Sequence, residues 1–456
     1  MTTRRLFAAH ALLPQGWARD VTFTIGADGH FSAIASGSER DDAEAAAGPV
    51  VPAMANVHSH AFQRALAGRT GRAAPGRDDT FWTWRQTMYA FIDRVDADGF
   101  EAIAAQAYVE MAKAGYASVA EFHYVHHDAA GKPYADPAEL TWRIVSAARG
   151  AGLALTLLPV FYAHGGFGGT PTTASQRRFV HSPLTFSRLV EALAANAAAE
   201  DYVVGVAPHS LRAVTAEELG QVVRMAPAGA PVHIHAAEQA REVDECFAWS
   251  RLRPIEWLLT QASIDARWCI VHATHMTERE VAGLAKSGAV AGLAPTTEAD
   301  LGDGTFPAEA YVAAGGRFAI GSDSNTAIDP FAELRQLEWS QRMRLRRRNV
   351  LVTQGDTPVG AGLWTRTARD GAHALGRKSG LLDTGFRADL IVLDACDPAL
   401  AEQRAADVLD AAIFGPARRP VRDVMSGGEW IVRDGRHPRE EAVFARYRDV
   451  LRTLVD

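Results

Sequence analysis

The sequence predicts an α/β fold: a (β/α)8 barrel of the TIM type, with a small β-sandwich built from both ends of the chain. Three observations predict it. Eight apolar runs alternate with helical patterns through the middle of the chain, both ends read as short strands and turns, and histidines with one aspartate gather where the apolar runs stop.

At the start, residues 21–24 and 31–34 alternate as strands around a Gly-Ala-Asp-Gly turn at 26–29, and residues 38–47 read as a loop. The middle offers strands at 51–57, 117–122, 154–160, 203–207, 232–235, 268–271, 289–294 and 318–320. Between them lie Ala-, Glu- and Leu-rich helical stretches such as 99–114, 185–199, 215–225 and 278–286. Strand–helix alternation calls for a parallel sheet, and eight units call for its closure. The end of the chain returns to strands, at 388–394 and on both sides of Gly427-Gly428. A barrel takes about 250 residues before insertions, so a chain of 456 has room for the second unit. The expected division is 1–50 and 376–456 for the sandwich, with a terminal helix, and 51–375 for the barrel.

With 48% apolar and 22% charged residues, the composition is globular. A net charge of −7 leaves no footprint for nucleic acid or an anionic membrane, though local arginines can still serve a small anionic substrate. The arginine-rich stretch 335–348 therefore reads as a solvated or subunit-contact helix beginning at Asp329-Pro330. Cys246, Cys269 and Cys396 lie too far apart for a disulfide framework or a CxxC knuckle, which points to a reducing compartment. No run of 18 apolar residues occurs, so no spanning helix is expected and the cytoplasm is the default.

Barrel active sites form at the C-terminal ends of the strands. Asn56-Val57-His58-Ser59-His60 ends the first, and residues two apart on a strand face the same side, so both imidazoles can reach one ion. The fifth ends in His233-Ile234-His235 with Glu238 following, the sixth in His272 with His275 beyond it, and Gly321-Ser322-Asp323 follows the eighth. Imidazoles with one carboxylate and a position left for water are a zinc-type donor set; iron or manganese accepts the same ligands. Spacing alone does not choose between His233 and His235.

These segments resemble the deaminase branch of the amidohydrolase superfamily: VPAMANVHSH at 51–60, the His235–Glu238 spacing, His272 and Asp323, with ADLIVLD at 388–394 similar to its accessory sandwich. One departure is Pro52-Ala53 where that branch usually has Pro-Gly. More narrowly, HSHAFQRALAG (58–68), FWTWRQTMY (81–89), APHSLR (207–212) and APTTEADLGDG (294–304) are similar to the formimidoylglutamate deiminase family.

The resemblance implies hydrolysis of N-formimino-L-glutamate to N-formyl-L-glutamate and ammonia, in histidine degradation, by a homodimer. It selects His235 over His233, giving metal ligands His58, His60, His235 and Asp323 for one divalent ion, zinc by preference. The strand-four end carries no lysine that could bridge two ions. Glu238, His272 and Asp323 are implied in proton transfer. Arg85 and Arg212 are expected at the substrate carboxylates, because a guanidinium fork matches a carboxylate. Gln63, Tyr124 and His209 are expected as further substrate contacts, with Trp82 and Trp84 as walls or packing. The alternative is a relative acting on a purine, pyrimidine or triazine ring, as a deaminase or chlorohydrolase.

Overall fold

The computed structural model describes residues 3–71, 78–352 and 358–455. Both chain ends meet in one sheet. Arg4–Leu13 pairs antiparallel with Gly16–Ile25 from Arg4↔Ile25 to Leu13↔Gly16, and the hairpin continues into Phe31–Ala35. Val50–Pro52 joins on the other side, followed by Leu390–Leu393, Val421–Ser426 and Glu429–Val432 from the far end. A bridge between His30 and Arg387 returns the sheet toward its own beginning. Leu6, Phe23, Phe31, Leu390 and Met425, from strands spread across the sheet, share one buried core. The sandwich is thus a single sheet curled over itself.

Two local readings change here. The first hairpin strand, Arg4–Leu13, was not foreseen, because arginines and His10 interrupt its alternation. The stretch read as a loop at 38–47 contains Glu44–Ala45, which adds to the sheet in parallel with Leu6 and Phe7.

Barrel strands are Met54–Ser59, Tyr116–His123, Ala154–Phe161, Tyr202–Val204 continuing as Ala207–Pro208, Val232–Ala236, Trp268–His272, Val290–Leu293 and Arg317–Ile320. Their neighbours pair in parallel, and bridges Val206↔Val232 and Ser59↔Asp323 join the two halves into a closed ring. The apolar run at 51–57 proves to be two strands, since Val50–Pro52 pairs in the terminal sheet before Ala53 turns the chain into the barrel. Strand four breaks at Gly205, where a Cβ would lie 2.5 Å from the Pro231 carbonyl oxygen. Closure brings strand eight against strand one so tightly that a Cβ on Gly321 would meet the His58 nitrogen at 2.6 Å.

Helices pack outside. Ala97–Ala114 starts at Asp96, whose carboxylate accepts from the Gly99 N–H at 2.8 Å, and stops at Gly115, with φ +104°. Val359–Ala374 lies under the barrel, and its Ala374 carbonyl accepts from His233 Nε2 at 2.9 Å. The arginine-rich stretch forms Pro330–Leu345, with Asp329 capping the Phe331 and Ala332 amides. Leu334, Leu337 and Glu338 are buried on it, while Trp339 and Met343 stay exposed. No helix among the described residues is long and apolar enough to cross a membrane.

Candidate active site

The strand ends converge as the spacing predicts. His58 Nε2 lies 3.1 Å from His60 Nε2 and 3.0 Å from His235 Nε2, and Asp323 Oδ1 lies 3.5 Å from both His58 and His60 Nε2. Four donors about 2.1 Å from one ion stand about 3.4 Å apart at the corners of a tetrahedron. These four edges, 3.0–3.5 Å, lie near that figure, so these side chains fit the ligand set of a single divalent ion.

Outer partners fix which nitrogen faces inward. His60 Nδ1 donates to the Phe122 carbonyl and His235 Nδ1 to the His209 carbonyl, both at 3.0 Å, which leaves each Nε2 a lone pair for the cluster. Burial drives the pKa of all three histidines down, that of His60 to about 3, so the imidazoles are neutral, the form in which they can bind a metal. His233, two residues before His235 on the same face, sits one layer deeper and is spent on Ala374.

Asp323 is placed by its backbone as well. Its N–H donates to the His58 carbonyl at 2.9 Å, and its carbonyl accepts from His60 N–H at 3.0 Å. Asn325 Nδ2 bridges the Asp323 and His60 carbonyls. Asp323, His272 and Ala237 take φ of +45°, +69° and +55°, a left-handed conformation that non-glycine residues seldom adopt. Three such residues at the ends of strands five, six and eight mark where the fold accepts strain to aim side chains.

His272 faces the cluster. Its Nδ1 donates to Glu298 Oε1 at 3.3 Å, and its Nε2 lies 3.8 Å from Asp323 Oδ2 and 3.7 Å from Glu238 Oε1. Burial opposes protonation of His272, but Glu238, Glu298 and Asp323 together raise its pKa to about 10. Burial raises Asp323 to about 7 and also lifts Glu238, in each case against the pull of His272. The Glu238 backbone is bracketed by Glu242, whose two carboxylate oxygens accept from the Ala237 and Glu238 amides at 3.1 and 3.0 Å.

Above these groups opens a pocket. Gln63, Arg85, Tyr124, His209 and Arg212 all line it, with Glu238, His272 and Asp323. Gln63 Nε2 donates to the Tyr124 hydroxyl at 3.1 Å. Arg85 Nε and Arg212 Nη1 are buried without a partner. The connection carrying Arg85 is no plain loop: Phe81–Ile92 is a helix across the pocket, and Trp84 on it is a wall. Trp82 instead stacks between guanidinium groups, its ring centroid 4.6 Å from Arg85 Cζ and 4.4 Å from Arg241 Cζ. His275 points away, its Nε2 donating to the Asp303 carbonyl at 2.8 Å.

Three buried acids escaped the sequence reading: Glu242, Glu298 and Asp303. The signal for two of them lay in the acidic run after strand seven, residues 294–304, noted only as a segment of resemblance.

Residues 50–431 match the amidohydrolase family, and residues 3–47 match the N-terminal domain of the formimidoylglutamate deiminase HutF. A formimidoylglutamate deiminase of Pseudomonas aeruginosa is 49% identical over 451 residues, 99% of each chain. The chain belongs to the formimidoylglutamate deiminase family of amidohydrolases. A crystal structure of an amidohydrolase from Brucella melitensis superposes with a TM-score of 0.95 at 45% identity, over 99% of this chain and 100% of that one. The fold is also that of an adenosine deaminase from Xanthomonas campestris with bound zinc, with a TM-score of 0.80 at 20% identity over 99% and 98% of the two chains.

Proposed function

We propose that this protein hydrolyses N-formimino-L-glutamate to N-formyl-L-glutamate and ammonia, with one zinc ion held by His58, His60, His235 and Asp323. The observation that carries the reading is a pair of buried guanidinium nitrogens without a hydrogen-bond partner, Arg85 Nε and Arg212 Nη1, in the same pocket as the His58–His60–His235 donor cluster and Asp323. A dicarboxylate whose reacting group is a small amidine answers both halves of that pocket. A planar ring would leave the two arginines unpaired, at the desolvation cost of a buried charge.

The ion would act as a Lewis acid, easing deprotonation of a water at neutral pH. Arg85 and Arg212 bind the carboxylates, and Gln63, Tyr124 and His209 orient the chain between them. Asp323 accepts one proton of the attacking water as its oxygen bonds to the formimino carbon, and the charged His272 beside it guides that transfer from Nε2. Glu238 returns a proton to the former imino nitrogen. The nitrogen takes a second proton, the one Asp323 received from the water, while the tetrahedral hydroxyl returns its proton to Glu238. The carbon–nitrogen bond then breaks toward ammonia rather than an amide anion, and the new carbonyl completes the formyl group. Glu298 keeps the Nδ1 proton on His272, so that Nε2 faces the reaction.

A homodimer completes the reading on the strength of the family resemblance, in the reducing cytoplasm to which the three scattered cysteines point. The deciding experiment identifies products from N-formimino-L-glutamate, with guanine and cytosine as controls. Ammonia and N-formyl-L-glutamate are expected; formamide and glutamate, or ammonia from the rings alone, overturn the assignment.

A further inference from the structure

A second set of donors converges beside the first. Glu238, His272 and Asp303 each offer one ligand atom, all within 4.8 Å of one another and all buried. The His272 Nε2 to Glu238 Oε1 separation, 3.7 Å, is too long for a hydrogen bond. It is close to the spacing of about 3.4 Å between two ligands on one small divalent ion.

Asp303 supplies an independent observation. It is only 4% exposed; its Oδ1 accepts from Gln239 Nε2, while its Oδ2 has no partner at all. A buried carboxylate oxygen left unanswered is rare and costly. The neighbourhood sharpens the demand, since Glu238, Glu298 and Asp303 share one imidazole, and Arg212 reaches Glu238 Oε2 only at 3.9 Å. Burial, with the charge of Glu238 behind it, pushes the Asp303 carboxyl up to about 9. Glu238 and His272 line the open pocket, so an ion has an entry path.

We propose that Glu238, His272 and Asp303 form a second, weaker divalent-cation site, of a carboxylate and imidazole type suited to Zn2+, and that filling it inhibits the enzyme. Inhibition follows because the ion binds the Glu238 carboxylate and displaces the Nε2 proton of His272, occupying the groups assigned to proton transfer. That half rests on the proposed function; the binding half does not.

The test is zinc titration of the holoenzyme by equilibrium dialysis with metal analysis, run beside activity. One ion per chain is expected at low free zinc and a second at excess, with activity falling as the second enters. In Asp303→Ala the first ion stays, and the zinc needed for the second rises at least about tenfold, the lower bound for changes one step further from a metal. Glu238→Gln removes another donor and must weaken the second ion alike, which keeps the test open if the Asp303 variant folds poorly. Wild-type protein that stays at one ion per chain to millimolar zinc overturns the site. So do variants with unchanged second-ion binding. A second ion that leaves activity intact overturns the inhibitory half and the proton-transfer roles together. The assignment of substrate stands or falls separately, on product identification.

Discussion

At the scale of single residues, the site is built from carbonyl and carboxylate partners that decide where each proton sits. In the proposed mechanism Glu238 has the most exacting role, because it would hold a proton for the nitrogen that leaves. Replacing it with Gln keeps shape and the bracket from Glu242, but removes the titrating oxygen. Glu238→Gln should keep the first metal ion while kcat falls by about 10²–10⁴, the range of one general acid; near wild-type turnover by ammonia release would remove Glu238 from the mechanism. Trp82 has a different task. Guanidinium groups gathered this closely repel each other, and the indole face beside Arg85, Arg212 and Arg241 would steady them for the carboxylates of the proposed substrate. Trp82→Leu should raise KM about tenfold and leave kcat within about twofold, the cost of a desolvated cation–π contact; a fall confined to kcat would refute it. Much of the site was legible at this scale, since ligands at strand ends announce themselves by type and spacing. His233 and His235 were not separable that way, because both share a face and differ only in depth, which the closed barrel sets. Asp303 and Glu298 were harder still: on paper they are acids in a polar loop, and nothing local says that both are buried.

At the scale of elements, the barrel's order followed from strand–helix alternation, while its junctions did not. The run at 51–57 reads as one strand, yet the chain crosses from terminal sheet to barrel within it, a change that alternation cannot register. The helix Phe81–Ile92 has no helical reading in the sequence, because it sits in a connection and carries aromatic side chains on several faces. Gly321 shows how closely the elements are fitted at the site. A methyl there meets the His58 backbone nitrogen at 2.6 Å and carbonyl oxygen at 2.7 Å, and neither atom can move without shifting a ligand. Gly321→Ala should therefore cost about 1–3 kcal/mol of stability, as overpacking does, and should lower the metal retained per chain. Calorimetry and metal analysis measure the two effects; a variant with wild-type melting and full metal would show that closure is looser than this contact implies.

At the scale of the whole molecule, the fold's dependence on acid follows from imidazoles buried outside the metal cluster. His123, His126 and His181 pack edge to face, with ring centroids 5.1 and 4.5 Å apart in sequence order. Burial holds His123 and His181 at about 3 and His126 well below its ordinary value of 6.5. Unfolded, each would take up a proton near 6.5; folded, each resists until the pH is far lower. Between those limits the unfolded chain binds more protons, so acid favours unfolding. The stability these groups contribute is thus complete above about 6.5 and is lost as the pH falls toward about 3, at about 1.4 kcal/mol per pH unit for each histidine. The contribution of these three imidazoles to the melting temperature should be flat above neutrality and fall steeply below pH 6. His181→Gln, which stays neutral, should flatten that descent by about one proton's slope, provided both proteins are compared metal-free so that ligand protonation does not enter. An unchanged slope would mean that these rings already find their protons in the folded state, and that the packing between them is looser than its distances imply.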